Sequence, residues 1–570
     1  MFRWLLSRLF VGLLPLAITS TVYLYLYPVF SGCAYPLPTT NASQQPNAFL
    51  QTLKQHLLPQ SDPFPSSENA IFRLLVLADP QLEGDTSLPR RQYELSYRLQ
   101  KHYNDTLDSL SSASFPYILD PDVRNTISAA FRSVVSEDIP RAFAGARKRL
   151  DLLGNDYYLA HIYRTLHWWA RPTHVTVLGD LIGSQWVSDE EFARRGQRYW
   201  ERVFEAGERA DDLITRSGQE GYGDGNEQGE VEVVEELPSS SSWANRIINI
   251  VGNHDIGYSG DASEHRIKRF EDVFGRANWD IRFQHPTVKV KAGVEGEEKV
   301  LNPTLHLINL NTLTLDGPAY SQDIQNHGYT YINDLISHRS YPVEDRSTFT
   351  LLLTHLPLHK PEGVCTDGPY FTYFDKDDDS DKQRYKSGGL REQNHLSEHV
   401  SVNGVLQGIF GMNGHGSKGR NGLILTGHDH EGCDVIHSLH KSTPAENNDN
   451  SEPDTPSESE DQDPWSWNAT RYTHMTPPDP TTASIREITL RSMMGEYGGN
   501  AGLLSIWFDT AAAEWKYAVQ MCPAGVQHIW WAVHVVDLIT VIVGVLFGSA
   551  CIFGSSKKSS LHVKGDKKTR

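Results

Sequence analysis

Five short polar clusters contain the oxygen-bearing and nitrogen-bearing side chains that bind divalent metal ions. Each cluster follows a run of β-branched and leucine residues typical of a buried strand. Carboxylate, amide and imidazole groups in this mixture suit Mn, Zn or Fe rather than a metal that prefers thiolates. The clusters are, in chain order, Asp79-Pro80-Gln81, Gly179-Asp180, Gly252-Asn253-His254-Asp255, His355 and Gly427-His428-Asp429-His430.

The order of these clusters resembles that of the five motifs of the calcineurin-like metallophosphoesterase superfamily. Two divalent cations about 3.5 to 4 Å apart can hold a phosphoryl group and activate the water that attacks it. The resemblance therefore implies two divalent ions as cofactors, manganese foremost and zinc or iron as alternatives. The implied ligands are Asp180 as the bridge, Asp79 and His430 on the first ion, and Asn253, His355 and His428 on the second.

The resemblance also implies catalytic residues beside the metal ligands. His254 would lie near the leaving oxygen, and protonating that oxygen is worth about 10² to 10⁴-fold in rate; Asp255 would orient His254. The usual first motif is Asp-x-His, whereas this chain has Gln81 in place of the histidine. Gln81 could therefore bind a metal, hold a water molecule, or contact the ligand residues without touching the metal. We expect His174 and His306, which lie on strand-like runs, to be core residues.

Six apolar runs must position these clusters, and their length indicates strands buried on both faces, with ligands gathering beyond the strand ends. The superfamily resemblance implies an α/β fold, a four-layer α/β/β/α sandwich over about residues 70–510 with inserted helices and acidic loops. A helical excursion is expected within residues 85–170, and solvated loops at 207–242 and 445–464. The runs are residues 71–78, 174–178, 246–251, 305–310, 349–354 and 423–426.

Two long apolar segments predict a membrane anchor at each end of the chain. Residues 9–29 follow Arg3 and Arg8, and residues 529–553 precede a basic tail at 554–570. The positive-inside bias therefore predicts that residues 1–8 and 554–570 are cytosolic and that residues 30–528 are lumenal. We expect Trp530 and Trp531 to lie in the interfacial aromatic belt. We expect Asp537 to lie near the lumenal interface, where the free-energy cost of inserting a carboxylate into the bilayer is lower. A role in pairing the two helices is less favoured.

The lumenal segment contains three glycosylation acceptor triplets, which begin at Asn41, Asn104 and Asn468. Four of the five cysteines are also expected to be lumenal, where disulfides persist. Cys365 and Cys433 each follow a metal-binding cluster closely, so we predict that they form a disulfide. Free buried cysteines or a link from Cys433 to Cys522 remain alternatives.

The charge of the chain excludes one class of partner. Its 570 residues include 52 basic and 71 acidic side chains, a formal net charge of −19. This charge repels phosphate backbones, so no nucleic-acid partner is expected. The final residues, Lys-Lys-Thr-Arg, resemble the dilysine retrieval signal and indicate retrieval coat machinery as a partner; an ordinary basic flank is the alternative.

Several stretches resemble a narrower group, the fungal membrane phosphodiesterases that remodel GPI anchors. The resemblance implies removal of ethanolamine phosphate from a mannose of the GPI glycan, aiding export of GPI-anchored proteins. It implies an endoplasmic-reticulum membrane location, with cycling to the early Golgi left open. Two alternatives remain: a cargo-binding protein with a degenerate metal site, and a phosphoprotein or nucleotide phosphatase. The stretches are Ala78-Asp79-Pro80-Gln81, Thr354-His355-Leu356-Pro357-Leu358 and residues 427–434 and 491–502.

Overall fold

A computed structural model describes most of the chain, with gaps in several loops and at the C-terminal end. The described residues are 1–38, 47–57, 70–113, 120–216, 234–292, 297–365, 367–376, 384–413, 417–441, 465–473, 482–495 and 498–562. Statements about contacts below refer to these residues. The acidic loop at 445–464, Asn41 and the final Lys-Lys-Thr-Arg lie outside them.

The helices lie at the two ends of the chain and in insertions between strands. They are α1 (Phe2–Tyr25), α2 (Tyr27–Phe30), α3 (Ala48–Leu57), α4 (Leu95–Ser112), α5 (Pro121–Ser133), α6 (Ile139–Ala170), α7 (Asp189–Arg198), α8 (Asn253–Ile256), α9 (Glu264–Phe274), α10 (Gln322–Ser337) and α11 (Gln527–His562). Wider π-helical turns lie at Val134–Asp138, Tyr199–Val203 and Val400–Ile409. Short 3₁₀ turns lie at Asp85–Ser87, Arg91–Tyr93 and Ser241–Ala244.

The strands occupy the residues between these helices. They are β1 (Phe72–Leu77), β2 (His174–Val177), β3 (Glu208–Arg209), β4 (Val234–Glu236), β5 (Arg246–Asn249), β6 (Trp279–Gln284), β7 (Val288–Ala292), β8 (Glu297–Leu301), β9 (Thr304–Asn309), β10 (Thr348–Leu353), β11 (Phe371–Tyr373), β12 (Leu390–Gln393), β13 (Asn421–Thr426), β14 (Cys433–Lys441), β15 (Trp465–Arg471), β16 (Ser484–Thr489), β17 (Gly498–Asp509) and β18 (Glu514–Val526). Each of the six predicted runs contains most of one of these strands.

Two large mixed sheets dominate the fold. The first has the order β18-β17-β1-β2-β5-β3, and the second has the order β15-β14-β16-β13-β10-β9-β6-β4. In the first sheet β1, β2 and β5 are parallel and in close register, so their carboxyl ends share one edge. The parallel strands β9, β10 and β13 of the second sheet likewise end together. The polar clusters begin directly after these strand ends.

Alternate residues of the central strands belong to two different hydrophobic clusters. In β1, Phe72, Leu74 and Val76 pack in one cluster together with residues from the second sheet, whereas Leu75 and Leu77 pack in the other with α6. Both faces of the strand are therefore buried, as its continuous apolar sequence predicts. His174 lies in this core, with its ring stacked 4.0 Å from that of Phe72. The mixed α/β class is confirmed, and the four-layer stacking stays a prediction.

The two apolar helices pack against each other in antiparallel fashion. Phe2–Tyr25 and Gln527–Ile552 are long and apolar enough to cross a membrane. The first helix begins earlier than the predicted residue 9, because the apolar pattern continues around Arg3 and Arg8. The ring of Phe10 stacks against Phe547 at 6.3 Å between centroids.

Asp537 joins these two helices. The Thr21 hydroxyl donates to its two carboxylate oxygens, at 2.9 and 3.1 Å. This contact supports the helix-pairing role, because a hydrogen bond from Thr21 offsets part of the cost of burying the carboxylate, and the interfacial position stays a prediction. The place of Trp530 and Trp531 in an interfacial aromatic belt stays a prediction. Trp530 is buried against Tyr158, and Trp531 lies against Gly154, so both pack on α6.

A disulfide links the chain just after the first apolar helix to the strand just before the second. It joins Cys33 to Cys522, which are both fully buried and 489 residues apart in sequence. Sequence reasoning did not single out this pair. Asn104 on α4 and Asn468 on β15 are exposed, as carriers of a glycan must be.

Candidate metal centre

The five polar clusters converge beyond the shared strand ends of the two sheets. Asp79, Gln81, Asp180 and His428 each adopt positive φ, between 44° and 72°. This left-handed conformation is disfavoured for residues with a side chain, and such strain clusters at functional sites. The chain therefore turns sharply after β1, β2 and β13, and the turns direct the side chains toward one point.

Two glycines permit the close approach of these turns. A Cβ atom on Gly179 would collide with the ring of His355, and one on Gly252 would collide with the main chain of Asp180. Gly179 also has φ of 89°, which residues with side chains rarely adopt. The glycines in the predicted motifs are therefore required by packing around the ligands.

Asp79, Asp180 and His430 form the first group of candidate ligands. One ligand atom from each lies within 4.8 Å of the others. Asp79 is fully buried, and its Oδ2 atom has no hydrogen-bond partner among the described residues. An unpartnered buried carboxylate oxygen is costly in a protein interior, so this atom points to a cation.

Asn253, His355 and His428 form the second group. The ring of His355 donates from Nδ1 to the carbonyl oxygen of Leu178 at 2.8 Å, and the ring of His428 donates from Nε2 to the carbonyl oxygen of Gln393 at 3.1 Å. The other nitrogen of each ring therefore carries a lone pair. Both lone pairs lie 3.0 Å from Oδ1 of Asn253.

This arrangement brings three electron-pair donors together with no proton between them. Burial, and then the neighbouring His355, lowers the pKa of His428 to about 3, so the ring is neutral at physiological pH. Burial likewise lowers the pKa of His355. A cation among the three atoms converts their mutual repulsion into ligation, and a hydrogen bond from the second ring nitrogen is the usual support of a metal-binding histidine.

Asp180 lies between the two groups. Its Oδ1 atom is 3.4 Å from Nε2 of His355, and its Oδ2 atom accepts a hydrogen bond from Gln81 at 2.9 Å. Each oxygen therefore faces one group, as a bridging carboxylate requires. Gln81 turns its amide nitrogen toward Asp180 and toward His430, 3.2 Å away. In this orientation Gln81 supports the bridge as a donor.

The residues present fit a pair of divalent ions. The orphaned oxygen of Asp79, the lone pairs around Asn253 and the two-sided position of Asp180 all require positive charge at the centre of the cluster. When bound, such ions would polarise a phosphoryl group and lower the pKa of bound water. The chain itself orients the ligands, fixes the histidine tautomers and excludes bulk water from Asp79.

His254 lies beside the candidate metal centre, whereas Asp255 has a different role from the one that the sequence suggested. The ring of His254 is partly exposed, with Nε2 3.8 Å from Asp180, and it faces the open side of the centre. Asp255 does not orient this ring, whose Nδ1 atom has no partner among the described residues. The Asp255 carboxylate instead accepts from the main-chain N–H groups of Leu181, Ile182 and Gly252, at 2.8 to 3.3 Å. It ties the turn after β2 to the turn after β5.

Metal binding should therefore release protons from carboxyl groups rather than from imidazoles. Burial, and then the charge of Asp180, raises the pKa of Asp79 well above its usual value. In the metal-free protein this carboxyl holds a proton to a higher pH than usual, and ligation displaces it. We expect release of on the order of one proton per chain at acidic pH, falling toward zero as pH rises above that raised pKa. Titration calorimetry of chelator-treated protein with Mn²⁺, in buffers of different ionisation enthalpy, measures it.

Asp79→Asn is the informative variant for this measurement, and His355→Gln is its matched control. Asp79→Asn should remove most of the release, whereas His355→Gln should leave its pH dependence unchanged. Release centred near the ordinary histidine pKa of about 6.5, and lost in His355→Gln, would contradict the protonation states described here.

Four of the candidate ligands, Asp180, Asn253, His428 and His430, line one side of a pocket of about 620 Å³. Aromatic rings of Trp186, Tyr258, Tyr370 and Phe374 form much of its wall, and Arg391 and Glu392 stand at its edge. Arg391 lines the pocket, whereas His395 is buried with its pKa lowered to about 4, first by burial and then by Lys360.

Sequence reasoning missed a buried cluster that holds the loop after His355. Glu487 on β16 accepts hydrogen bonds from the ammonium of Lys360 at 2.9 Å and from the ring of His437 at 2.5 Å. Its carboxylate also accepts from the main-chain N–H of Leu358 at 3.3 Å. Strand β16 is largely polar in sequence, with Arg486 beside Glu487, so its pattern gave no signal that Glu487 is buried and needs partners.

A second disulfide joins Cys365 to Cys433, with Cα atoms 6.1 Å apart. Cys433 begins β14, three residues after His430, and Cys365 lies in the loop that follows His355. The link therefore holds together two of the segments that carry candidate ligands.

Comparison with known proteins gives one long match and several shorter ones. Protein TED1 of Saccharomyces cerevisiae is 34% identical over 421 residues, which cover 69% of this chain and 77% of the yeast protein. This chain belongs to the TED1 family. No protein-family model matches the chain.

Shorter partial matches add to this comparison, and one of them suggests a metallophosphoesterase-like family. An uncharacterised protein of Schizosaccharomyces pombe is 27% identical over 298 residues, half of this chain and 57% of that protein. Metallophosphoesterase 1 of Mus musculus is 28% identical over 127 residues, which cover 22% of this chain and 23% of the mouse protein. The matches and the candidate metal centre together support a phosphoester hydrolase that uses divalent metal ions.

Proposed function

We propose that this TED1-family chain is a membrane-anchored phosphodiesterase that removes ethanolamine phosphate from a mannose of the GPI glycan. The observation that carries the hydrolytic part is the convergence of electron-pair donors around Asn253, Asp180 and the unpartnered Oδ2 atom of Asp79. Two ions, manganese foremost, would occupy this centre, and His254 on its open side is positioned to donate a proton to the departing oxygen. The expected products are a freed mannose hydroxyl and ethanolamine phosphate.

The proposed location is the endoplasmic-reticulum membrane, with the catalytic domain lumenal and both chain ends cytosolic. The two apolar helices support membrane anchoring. Two disulfides in the domain between them support an oxidising compartment, because cytosolic thiols are kept reduced. Anchoring at both ends raises the effective concentration of a lipid-linked substrate at the site.

The edge of the pocket supports a substrate that carries an ammonium group. Glu392 lines the pocket together with Tyr258 and Tyr370, and its carboxylate lies 3.6 Å from the guanidinium of Arg391. The negative charge of Glu392 contributes to raising the pKa of Tyr370 after burial, and that of Tyr258 after burial and the larger effect of Asp180. Aromatic faces and a carboxylate attract a cation such as the ammonium of ethanolamine phosphate.

The direct test is mass spectrometry of GPI glycans from cells that lack the protein and are supplied with either the wild type or the Asp180→Asn variant. We expect phosphoethanolamine to accumulate on one mannose with the variant and to disappear with the wild type. An identical glycan pattern in both would reject the proposed substrate. Turnover of a generic monoester in preference to diesters would instead favour a phosphoprotein or nucleotide phosphatase.

Glu392→Gln should weaken binding of ethanolamine-bearing substrates. The lost attraction is that of a partly exposed ion pair, so we expect KM to rise about threefold to fivefold with little change in kcat. Steady-state kinetics with a phosphodiester that carries the ammonium group, and with the same diester lacking it, measures the effect. The exposed Glu398→Gln, which does not line the pocket, is the matched control. An equal rise in KM for both diesters would show that Glu392 does not recognise the ammonium.

A further inference from the structure

A second cavity lies where the two apolar helices meet the rest of the protein. Its volume is about 530 Å³, and its walls are largely apolar and aromatic. This is the size and character of a site for an organic ligand rather than for an inorganic ion. The lining residues are Tyr25, Leu26, Tyr157, His161, Arg164, Thr165, Trp168, Trp530 and His534.

His161 is the unusual residue of this cavity. It is 6% exposed, and neither ring nitrogen has a hydrogen-bond partner among the described residues. Burial, and then the neighbouring His534, lowers the pKa of His161 to about 4, against a smaller opposing effect of the Leu24 carbonyl. The ring is therefore neutral at physiological pH and lies in the cavity wall, with a donor and an acceptor nitrogen that are buried and unpaired among the described residues.

The cavity lies at the level where the apolar helices would leave the bilayer. Helix α6 contacts both apolar helices, the second at its first residue and the first at its last residue. Asn155 accepts from the side chain of Gln527 at 2.6 Å, and the ring of Tyr25 packs edge-on against His161 at 4.9 Å. Tyr25 ends the first helix, and Gln527 begins the second.

The charges around the cavity restrict its ligand. Arg164 is the cation at its rim, but its guanidinium is paired with Glu205 and also donates to the carbonyl oxygen of Arg202. A free fatty acid would therefore bring an anion into an apolar cavity without a free cation to receive it. A neutral ester oxygen can accept the hydrogen bond that His161 offers.

We infer that this cavity binds one glycerophospholipid from the adjacent membrane leaflet, with an acyl chain between the aromatic walls and a glycerol ester oxygen on His161. The inference rests on the membrane insertion of α1 and α11 proposed above. It assigns to the chain a lipid site that is separate from the metal centre. A lipid held there would fix the angle at which α6 meets the two membrane helices.

Photolabelling of the full chain in phosphatidylcholine nanodiscs tests the inference. The probe is phosphatidylcholine with a diazirine in one acyl chain, and peptide mass spectrometry locates the labelled residues. We expect labelling concentrated on residues 157–168. Labelling there should fall about fivefold in His161→Leu, which removes one hydrogen bond, and should be lost in Thr165→Phe, which fills the cavity.

The matched control is His174→Leu, which also removes a buried imidazole but lies between the two sheets. It should leave labelling of residues 157–168 unchanged, and thermal unfolding of each variant checks that it folds. Equal labelling of these residues in the wild type, His161→Leu and Thr165→Phe would overturn the lipid site. Labelling confined to the two helices would overturn the site alone, whereas absence of label from both helices would reject membrane insertion itself.

Discussion

Asp180→Asn should abolish nearly all hydrolysis. One carboxylate oxygen of Asp180 faces each group of candidate ligands, so the substitution weakens both at once. Metal ions contribute several kcal/mol of charge stabilisation in such reactions. A loss of about 4 kcal/mol corresponds to a fall of about 10³-fold in kcat/KM. Steady-state kinetics with a phosphodiester substrate, together with elemental analysis of bound metal, provides the measurement.

Gln81→Ala should be much milder, because Gln81 donates to the bridge rather than replacing it. Loss of such a supporting residue typically costs about 10-fold to 100-fold. Asp280→Asn is the control for replacing a buried aspartate elsewhere, since Asp280 pairs with His306 outside the metal centre. Comparable losses from Asp180→Asn and Gln81→Ala would show that Asp180 is not the bridge. Metal content that is unchanged in Asp180→Asn would show the same.

Removal of the Cys33–Cys522 disulfide should destabilise the protein more than any other single covalent change. The bond closes a very long loop between two fully buried residues. Restricting so long a loop is worth about 6 kcal/mol in the chain-entropy account, and removing a native disulfide typically costs about 2 to 5 kcal/mol. In the Cys33→Ser/Cys522→Ser double variant we expect hydrogen exchange in β18 to accelerate by about 10³-fold, if exchange there requires the opening that the bond restrains.

Cys551→Ser is the matched control, since Cys551 is the free cysteine of the described residues. Cys551 lies in the second apolar helix, where its sulfur accepts a hydrogen bond from Arg3 at 3.4 Å. Serine keeps an acceptor at this position, so the substitution should change stability by less than about 0.5 kcal/mol. Unchanged protection of β18 in the double variant would mean that helix packing alone, through Thr21 and Asp537, holds the chain ends together. Faster exchange in Cys551→Ser would point to a general effect of cysteine replacement.

The strands and the ligands were predictable from sequence because both depend on local patterns. A buried run such as residues 71–78 needs only its own apolar residues to be recognised, and the polar residues after it mark the strand end. Cys365 and Cys433 could be paired because each lies close to a predicted ligand. The positions of His355 and His428 at one edge follow from parallel strands in register.

The remaining features depend on contacts between distant segments. Cys33 meets Cys522 because β17 pairs with β1 and β18 follows it, and nothing near Cys33 indicates that pairing. The partner of Asp537 lies on the other apolar helix, so sequence position alone favoured an interfacial location. Asp255 was assigned to the His254 ring because it is adjacent in sequence, whereas the tight turn directs its carboxylate to main-chain N–H groups.

Strands β17 and β18 come late in the chain, yet β17 pairs with β1 and β18 carries the partner of Cys33. This order has a consequence for biosynthesis. A ribosome adds about 5 to 20 residues per second, so roughly 25 to 100 s separate the emergence of Cys33 from that of Cys522, 489 residues later. During this time Cys365 and Cys433 emerge while the correct partner of Cys33 does not yet exist. Nascent chains should therefore carry Cys33 as a thiol or in a transient bond to an oxidoreductase, and the first sheet should close only when translation is almost complete.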